Sequence, residues 1–160
     1  MKRVVATNAD GSVTVIVPSP RCVDVLMTGG AVVDRASAIN LLLSSGSWQS
    51  DLTPVTRRRL AETWVEGLIT GGLSEDEAVA LIGEYSRAPG MTALEVIEAH
   101  DLPERTYRNS WRRSRNGGPV YIDEEHAAWG LYEQKNRAGA AVLRGEHRER
   151  LASCPVEHAS

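Results

Sequence analysis

The sequence predicts an α+β fold: a small antiparallel sheet built on an N-terminal hairpin, a helical hairpin, and a long C-terminal helix. Three observations predict it. Two β-branched runs flank "NADG" near the N-terminus, two capped helix signatures follow each other over 54–86, and strands and helices come in runs rather than in β-α-β alternation. The chain has 160 residues, 42% of them apolar and 24% charged. That is the composition of a globular protein and the length of one domain, expected over 1–153 with a flexible tail at 154–160.

The hairpin rests on "RVVATNADGSVTVIV", residues 3 to 17. Asp-Gly supplies the positive-φ geometry of a turn, so strands are expected at about 3–7 and 12–17. "VPSP" then ends pairing, because proline has no N–H for the ladder. In the less patterned stretch 21–52, "DRASAINLLLSS" fits a helix capped by Asp34, and "SGSWQSD" reads as a loop. Thr53 and Pro54 open the next helix as N-cap and first residue. Leu60, Trp64 and Leu68 recur along it, with Ala61 and Val65 beside them, and Gly71-Gly72 stops it.

"LSEDEAVALIGEYSR" starts with a capping box, Ser74 with Glu77, and places Leu73 and Ala78 as a hydrophobic staple. Residues 54–86 therefore form an αα-hairpin. "TALEVIEAHDLP" satisfies both a helical and a strand pattern. "DLPERTYRNSWR" reads as a turn into a short helix over 104–113, and "GGPVYID" as a glycine turn with a strand at 119–122. Asp123 caps a helix to about Ser153, with Ala128, Leu131, Tyr132, Ala138, Val142 and Leu151 on its apolar side. Gly130, Gly139 and Gly145 weaken it by about 1 kcal/mol each, so it calls for a partner surface.

Composition narrows the function classes. The chain lacks Phe and has four Trp and four Tyr, so Leu, Ile, Val and Ala fill the core and the Trp residues anchor it. Sixteen of the eighteen Lys and Arg residues are Arg, yet the net charge is −3, so the overall field recruits neither nucleic acid nor an anionic membrane. Cys22 and Cys154 lie far apart with no metal-ligand spacing, which suits reduced thiols. No apolar run reaches signal-peptide or bilayer-spanning length, so a cytoplasmic protein without membrane contact is expected.

Chemical character concentrates in "RTYRNSWRRSRNGG", residues 105–118, with Arg105, Arg108, Arg112, Arg113 and Arg115. On a helix, Tyr107 and Trp111 lie four apart and would pack inward as core anchors, as Trp64 does in its own helix. The arginines would then snorkel or pair with Glu104, Glu124 and Glu125. Alternatively the five guanidiniums, beside a Gly-Gly turn, follow a phosphate backbone, or they meet an acidic protein partner. Arg57, Arg58 and Arg59 read as a solvated helix face. Asp123, Glu124 and Glu125 are accounted for by capping rather than by a metal. His100, His126, His147 and His158 pair locally with no nucleophile, and no phosphate-binding, nucleophile-elbow or zinc-protease motif occurs. A non-enzyme without metal or cofactor is expected.

Three segments together resemble a group of small proteins encoded by phages and prophages. These are "VVATNADGSVTVIVPSP", "DLPERTYRNSWRR…VYID" and the charged C-terminal helix. The group's layout is a hairpin ending in proline, a strand, a "DLP.DRTFR.AW" box, a short strand and an amphipathic C-terminal helix. In this chain the box is Asp101, Leu102, Pro103, Arg105, Thr106, Tyr107, Arg108 and Trp111, with Tyr107 where Phe is usual. The resemblance covers about half of the chain and makes 54–86 an inserted helical hairpin. It implies strand rather than helix over "TALEVIEA", and a phage-associated setting rather than a reaction. The function expected is that of a non-catalytic phage or prophage accessory or virion protein. It would bind a phage or host protein, or itself through the C-terminal helix. A nucleic-acid-binding module centred on 105–115 is the alternative.

Overall fold

The structure, a computed structural model, describes residues 1–128. The chain divides into two compact units, Met1–Ile122 and Asp123–Ser160, where the sequence reads as one domain to residue 153. In the second unit Asp123 caps a helical turn over 124–128, its Oδ1 accepting from His126 N at 3.1 Å. The long helix expected to about Ser153 and the tail 154–160 lie outside the described residues.

The first unit is mixed α and β. The hairpin comprises β1 (Lys2–Thr7) and β2 (Val13–Ile16), with Gly11 at φ +83° in its turn. Asp10 Oδ1 accepts from Ser12 N at 2.9 Å and closes that turn. Four helices follow: α1 (Pro20–Thr28), α2 (Arg35–Ser44), α3 (Pro54–Thr70) and α4 (Glu75–Ser86). The chain then returns to the sheet as β3 (Thr92–Glu98), so this segment is strand, as the resemblance implies. Strand order is β2-β1-β3, antiparallel throughout, and β4 (Trp111–Arg112) pairs with β5 (Tyr121–Ile122) in a second ladder. Asp34, Thr53 and Ser74 accept from the backbone N–H three residues on, and Ser74 with Glu77 completes the capping box.

The helices repeat one another. "VDVLMTGG" ends α1 and "VEGLITGG" ends α3, identical at five of eight positions. A helix follows each, so α1–α2 and α3–α4 are two copies of a helix–Thr-Gly-Gly–helix unit. Gly30 N and Ala31 N donate to Ile69 O and Leu68 O, each at 3.0 Å. Gly72 N and Leu73 N donate to Met27 O and Leu26 O, at 2.8 and 3.3 Å. Each loop thereby caps carbonyls at the end of the other copy's helix, groups that would otherwise lack partners. The exchange needs bare backbone: a Cβ on Gly71 would sit 2.3 Å from Gly29 N, and one on Gly29 would sit 2.6 Å from Thr70 C. Buried Leu26, Ile39, Ala61, Trp64, Val65, Ala78, Leu81 and Ile82 fill the space between the copies. Tyr85 stacks on Trp64 with ring centroids 4.0 Å apart.

Long polar side chains close the remaining helix ends. Gln49, 1% exposed and at φ +51°, donates through Nε2 to the carbonyls of Glu84, Tyr85 and Arg87 at the end of α4. Trp48 Nε1 donates to Tyr85 O as well, at 3.1 Å. Arg57 lies over the Trp48 ring and donates to the carbonyls of Leu43, Ser45 and Trp48 around the end of α2. It therefore leaves the solvated face expected for Arg57–Arg59, because unpaired carbonyls lie within its reach. Buried Arg87 makes a two-pronged pair with Asp51, both N···O distances 2.9 Å, and Gly90 N also donates to that carboxylate. The Arg87 hydrogen bond, with the Gly90 N–H, lowers the Asp51 carboxyl from an ordinary 3.8 to about 2.

The three-stranded sheet has two covered faces. Val4, Ile16 and Val96 are register partners and share the face toward α4, where Gly83 admits Val4: a Cβ there would lie 2.7 Å from Val4 Cγ1. Arg3, Val5, Thr7, Val15, Glu95 and Ile97 share the opposite face. Residues 99–122 lie on that second face.

Chemical denaturation tests the loop exchange. Gly71→Ala should lose at least about 3 kcal/mol, since strain and steric overlap act together. Gly72→Ala, at φ +85° with nothing within 4 Å, should lose only about 1–2 kcal/mol. Equal losses would contradict the close approach. The Asp51–Arg87 pair predicts a pH dependence. A lowered folded-state pKa stabilises fully above the unfolded value near 3.8, and the stabilisation is lost as pH falls through about 2. Asp51→Asn should therefore lower the melting temperature at neutral pH and flatten its fall between pH 4 and pH 2.

Candidate binding groove

The basic segment does not fold as the helix expected over 104–113. After a 3₁₀ turn at Ala99–Asp101, Arg105–Ser110 form further 3₁₀ turns, broken at Tyr107 (φ −102°, ψ 20°), and Trp111 enters β4. The four-residue spacing of Tyr107 and Trp111 therefore carries no shared helical face. Tyr107 is half-buried, which corrects its expected role as a core anchor, whereas Trp111 is 2% exposed and donates through Nε1 to Glu104 O at 3.3 Å. Trp64, likewise, is buried within the helical core.

The five arginines part company. Arg113 is 3% exposed, which removes it from any outward basic surface. Its guanidinium donates to Gly118 O at 2.7 Å, to Thr7 Oγ1 at 3.4 Å, to Ala93 O and to the Glu95 carboxylate. The physical reason is the β-bulge near Ala93, at φ +52°, which presents an unpaired carbonyl beside Glu95. Arg113 N also donates to Gly11 O at 3.1 Å, tying the segment to the hairpin turn. Arg112 donates to Asn109 O and Trp111 O, and exposed Arg115 to Ala9 O. These three arginines serve the segment's own backbone and its attachment.

Arg105 and Arg108 remain exposed. With Arg3 from β1 they line a cleft of about 150 Å³ whose other walls are Val15, Val17, Ala99, Leu102, Pro103 and Trp111. Among the described residues none of these three guanidiniums takes part in a hydrogen bond or ion pair. The pairing of Arg105 or Arg108 with Glu104 considered from sequence does not form; Glu104 accepts instead from Thr106 Oγ1 at 3.1 Å. Three unpaired cations thus meet over an apolar floor, in a chain of net charge −3. Such a site attracts carboxylates or other anions, and its floor takes an apolar side chain.

A second, mainly apolar cleft of about 490 Å³ shares Arg3 and Val17 with it and adds Met1, Pro18, Val23, Met27 and Val79, with Lys2, Asp24 and Glu75 at its charged side. Met1, Val17 and Met27 are 77%, 60% and 40% exposed, so this wall presents apolar surface to solvent. Arg3 and Val17 escaped the sequence reading because only the β1–β2 register brings them to the "DLP" box.

Among the described residues no group of His, Cys, Asp and Glu side chains is arranged to hold a metal ion, and no helix is long and apolar enough to cross a membrane. Cys22 is a free, half-buried thiol. The chain matches no protein-family model, no curated protein and no solved structure.

Stability measurements separate the two kinds of arginine. Arg113→Ala should lose about 3 kcal/mol, because it strips hydrogen bonds from buried carbonyls. Arg105→Ala and Arg108→Ala should each stay within about 0.5 kcal/mol of the parent. Comparable losses in all three would place Arg105 and Arg108 in structural roles.

Proposed function

We propose that this chain is a non-catalytic binding protein whose 1–122 unit engages an acidic segment of a partner protein. The carrying observation is the convergence of Arg3, Arg105 and Arg108, without carboxylate partners among the described residues, on the apolar cleft beside Trp111. Folding gains little from leaving three guanidiniums unpaired at one place, whereas an incoming carboxylate gains charge-assisted, two-pronged hydrogen bonds there. The resemblance of the "DLP" box and the hairpin to small phage and prophage proteins sets this binding in a phage. The partner is then a host or virion protein, and the chain is an accessory or virion component.

The nucleic-acid alternative is the weaker one. Burial of Arg113 and Trp111 takes away a phosphate-contacting cation and a stacking ring that this reading requires.

Fluorescence anisotropy with a labelled peptide of alternating Glu and Val, against a single-stranded DNA oligonucleotide, tests the proposal. The peptide should bind, more weakly as salt rises. Changing Arg105 and Arg108 together to Ala should weaken it between about twofold and thirtyfold, given 0.2–1 kcal/mol per exposed pair. Tighter binding of the oligonucleotide, lost in the same double variant, would reverse the order of the two readings.

A further inference from the structure

Among the described residues no strand runs along the groove side of β2. β2 has β1 on one side. On its other side the basic segment joins only at the start, through the Ser12–Arg112 bridge and the Arg113 N to Gly11 O bond. Followed backward from Trp111, antiparallel to β2, the chain would run beside Val15 and Val17 if it stayed extended. Instead it leaves the sheet at Ser110 and turns through 3₁₀ geometry over 105–110.

The hairpin register shows which backbone groups this exposes. Asn8 N donates to Ser12 O at 2.9 Å, so the 8/12 pair is hydrogen-bonded. Alternation then makes 6/14 and 4/16 hydrogen-bonded and turns the N–H and C=O of Val15 away from β1. Val17 lies two residues on, just past the last pair, where an extended chain repeats the orientation of Val15. Among the described residues neither Val15 nor Val17 donates its N–H to another group. The side chains of these same two residues line the arginine cleft, and Val17 lines the apolar one as well.

We infer that the partner segment binds as an added strand along the free edge of β2, pairing with the backbone of Val15 and Val17. Its carboxylates meet Arg3, Arg105 and Arg108 on one face, and its alternate apolar side chains, on the other face, meet the wall that includes Val23, Met27 and Val79. The inference rests on the acidic-segment reading above and adds its conformation and register. Charge selects the occupant: strand alternation puts every second side chain on one face, so a sequence alternating acidic and apolar residues satisfies both walls at once. A helix offers no N–H groups to the β2 edge. Pro18, which follows Val17 in the chain, limits the added pairing to a few residues and so to a short motif.

The test uses the full chain and two peptides of equal charge. Both alternate Glu and Val; in the second every peptide nitrogen is methylated, which removes N–H groups and strand pairing. Binding is read by anisotropy, and backbone amides by hydrogen exchange with NMR detection. The unmethylated peptide should slow exchange at the Val15 and Val17 amides at least tenfold, and the N-methylated peptide should bind at least tenfold more weakly. Equal binding of both peptides with unchanged Val15 and Val17 amides overturns strand addition and leaves an acidic ligand in the groove. Failure of both peptides to bind overturns the acidic-segment reading along with it.

Discussion

The burial of Arg113 sets the geometry of everything on the outer face of the sheet. One guanidinium reaches β1 at Thr7, the bulge at Ala93, Glu95 on β3 and the turn at Gly118. Such a cation is stable out of water only because nearly every N–H it offers finds an oxygen and its charge finds a carboxylate. With that anchor in place Trp111 is held beneath the segment, and the chain before it turns off the sheet. The cleft, its apolar floor and the outward course of Arg105 and Arg108 follow from that turn.

The helical half of the unit depends on a different constraint, the close approach of two Thr-Gly-Gly loops. Each Thr-Gly-Gly turn alone would leave carbonyls bare at the end of its first helix. Laid against each other, the copies satisfy those carbonyls reciprocally and enclose a shared core. Their loops differ in one respect. Leu73 precedes the Ser74 cap directly and packs on the core, whereas the first copy carries Val32 and Val33 before its Asp34 cap. Val32 stands fully in solvent as a result.

Local signals read well. The hairpin, the caps at Asp34, Thr53 and Ser74, the stop at Gly71 and the β5 segment were legible because each depends on residues within a few positions. α1 went unread because proline at its start also reads as the end of a strand, and nine residues carry little periodicity. Arg57, Gln49 and Arg87 were misread or unmarked because the groups they bind lie elsewhere in the chain, as far as 38 residues away for Gln49. The same limit governed the basic segment. Its five arginines look alike in sequence, and only contacts 106 positions away, as from Arg113 to Thr7, sort the buried one from the exposed pair. The spacing of Tyr107 and Trp111 suggested a helix; the aromatic anchor survived at Trp111 through burial in a strand instead.

Arginine side-chain NMR of the free protein tests this division most directly, through exchange and chemical shift at each Nε–H group. The account predicts a slowly exchanging, shifted signal from Arg113, held by Gly118 O, and rapidly exchanging, solvent-like signals from Arg3, Arg105 and Arg108. Protected signals from Arg105 and Arg108, matching that of Arg113, would mean that the groove's cations are already engaged and would contradict it.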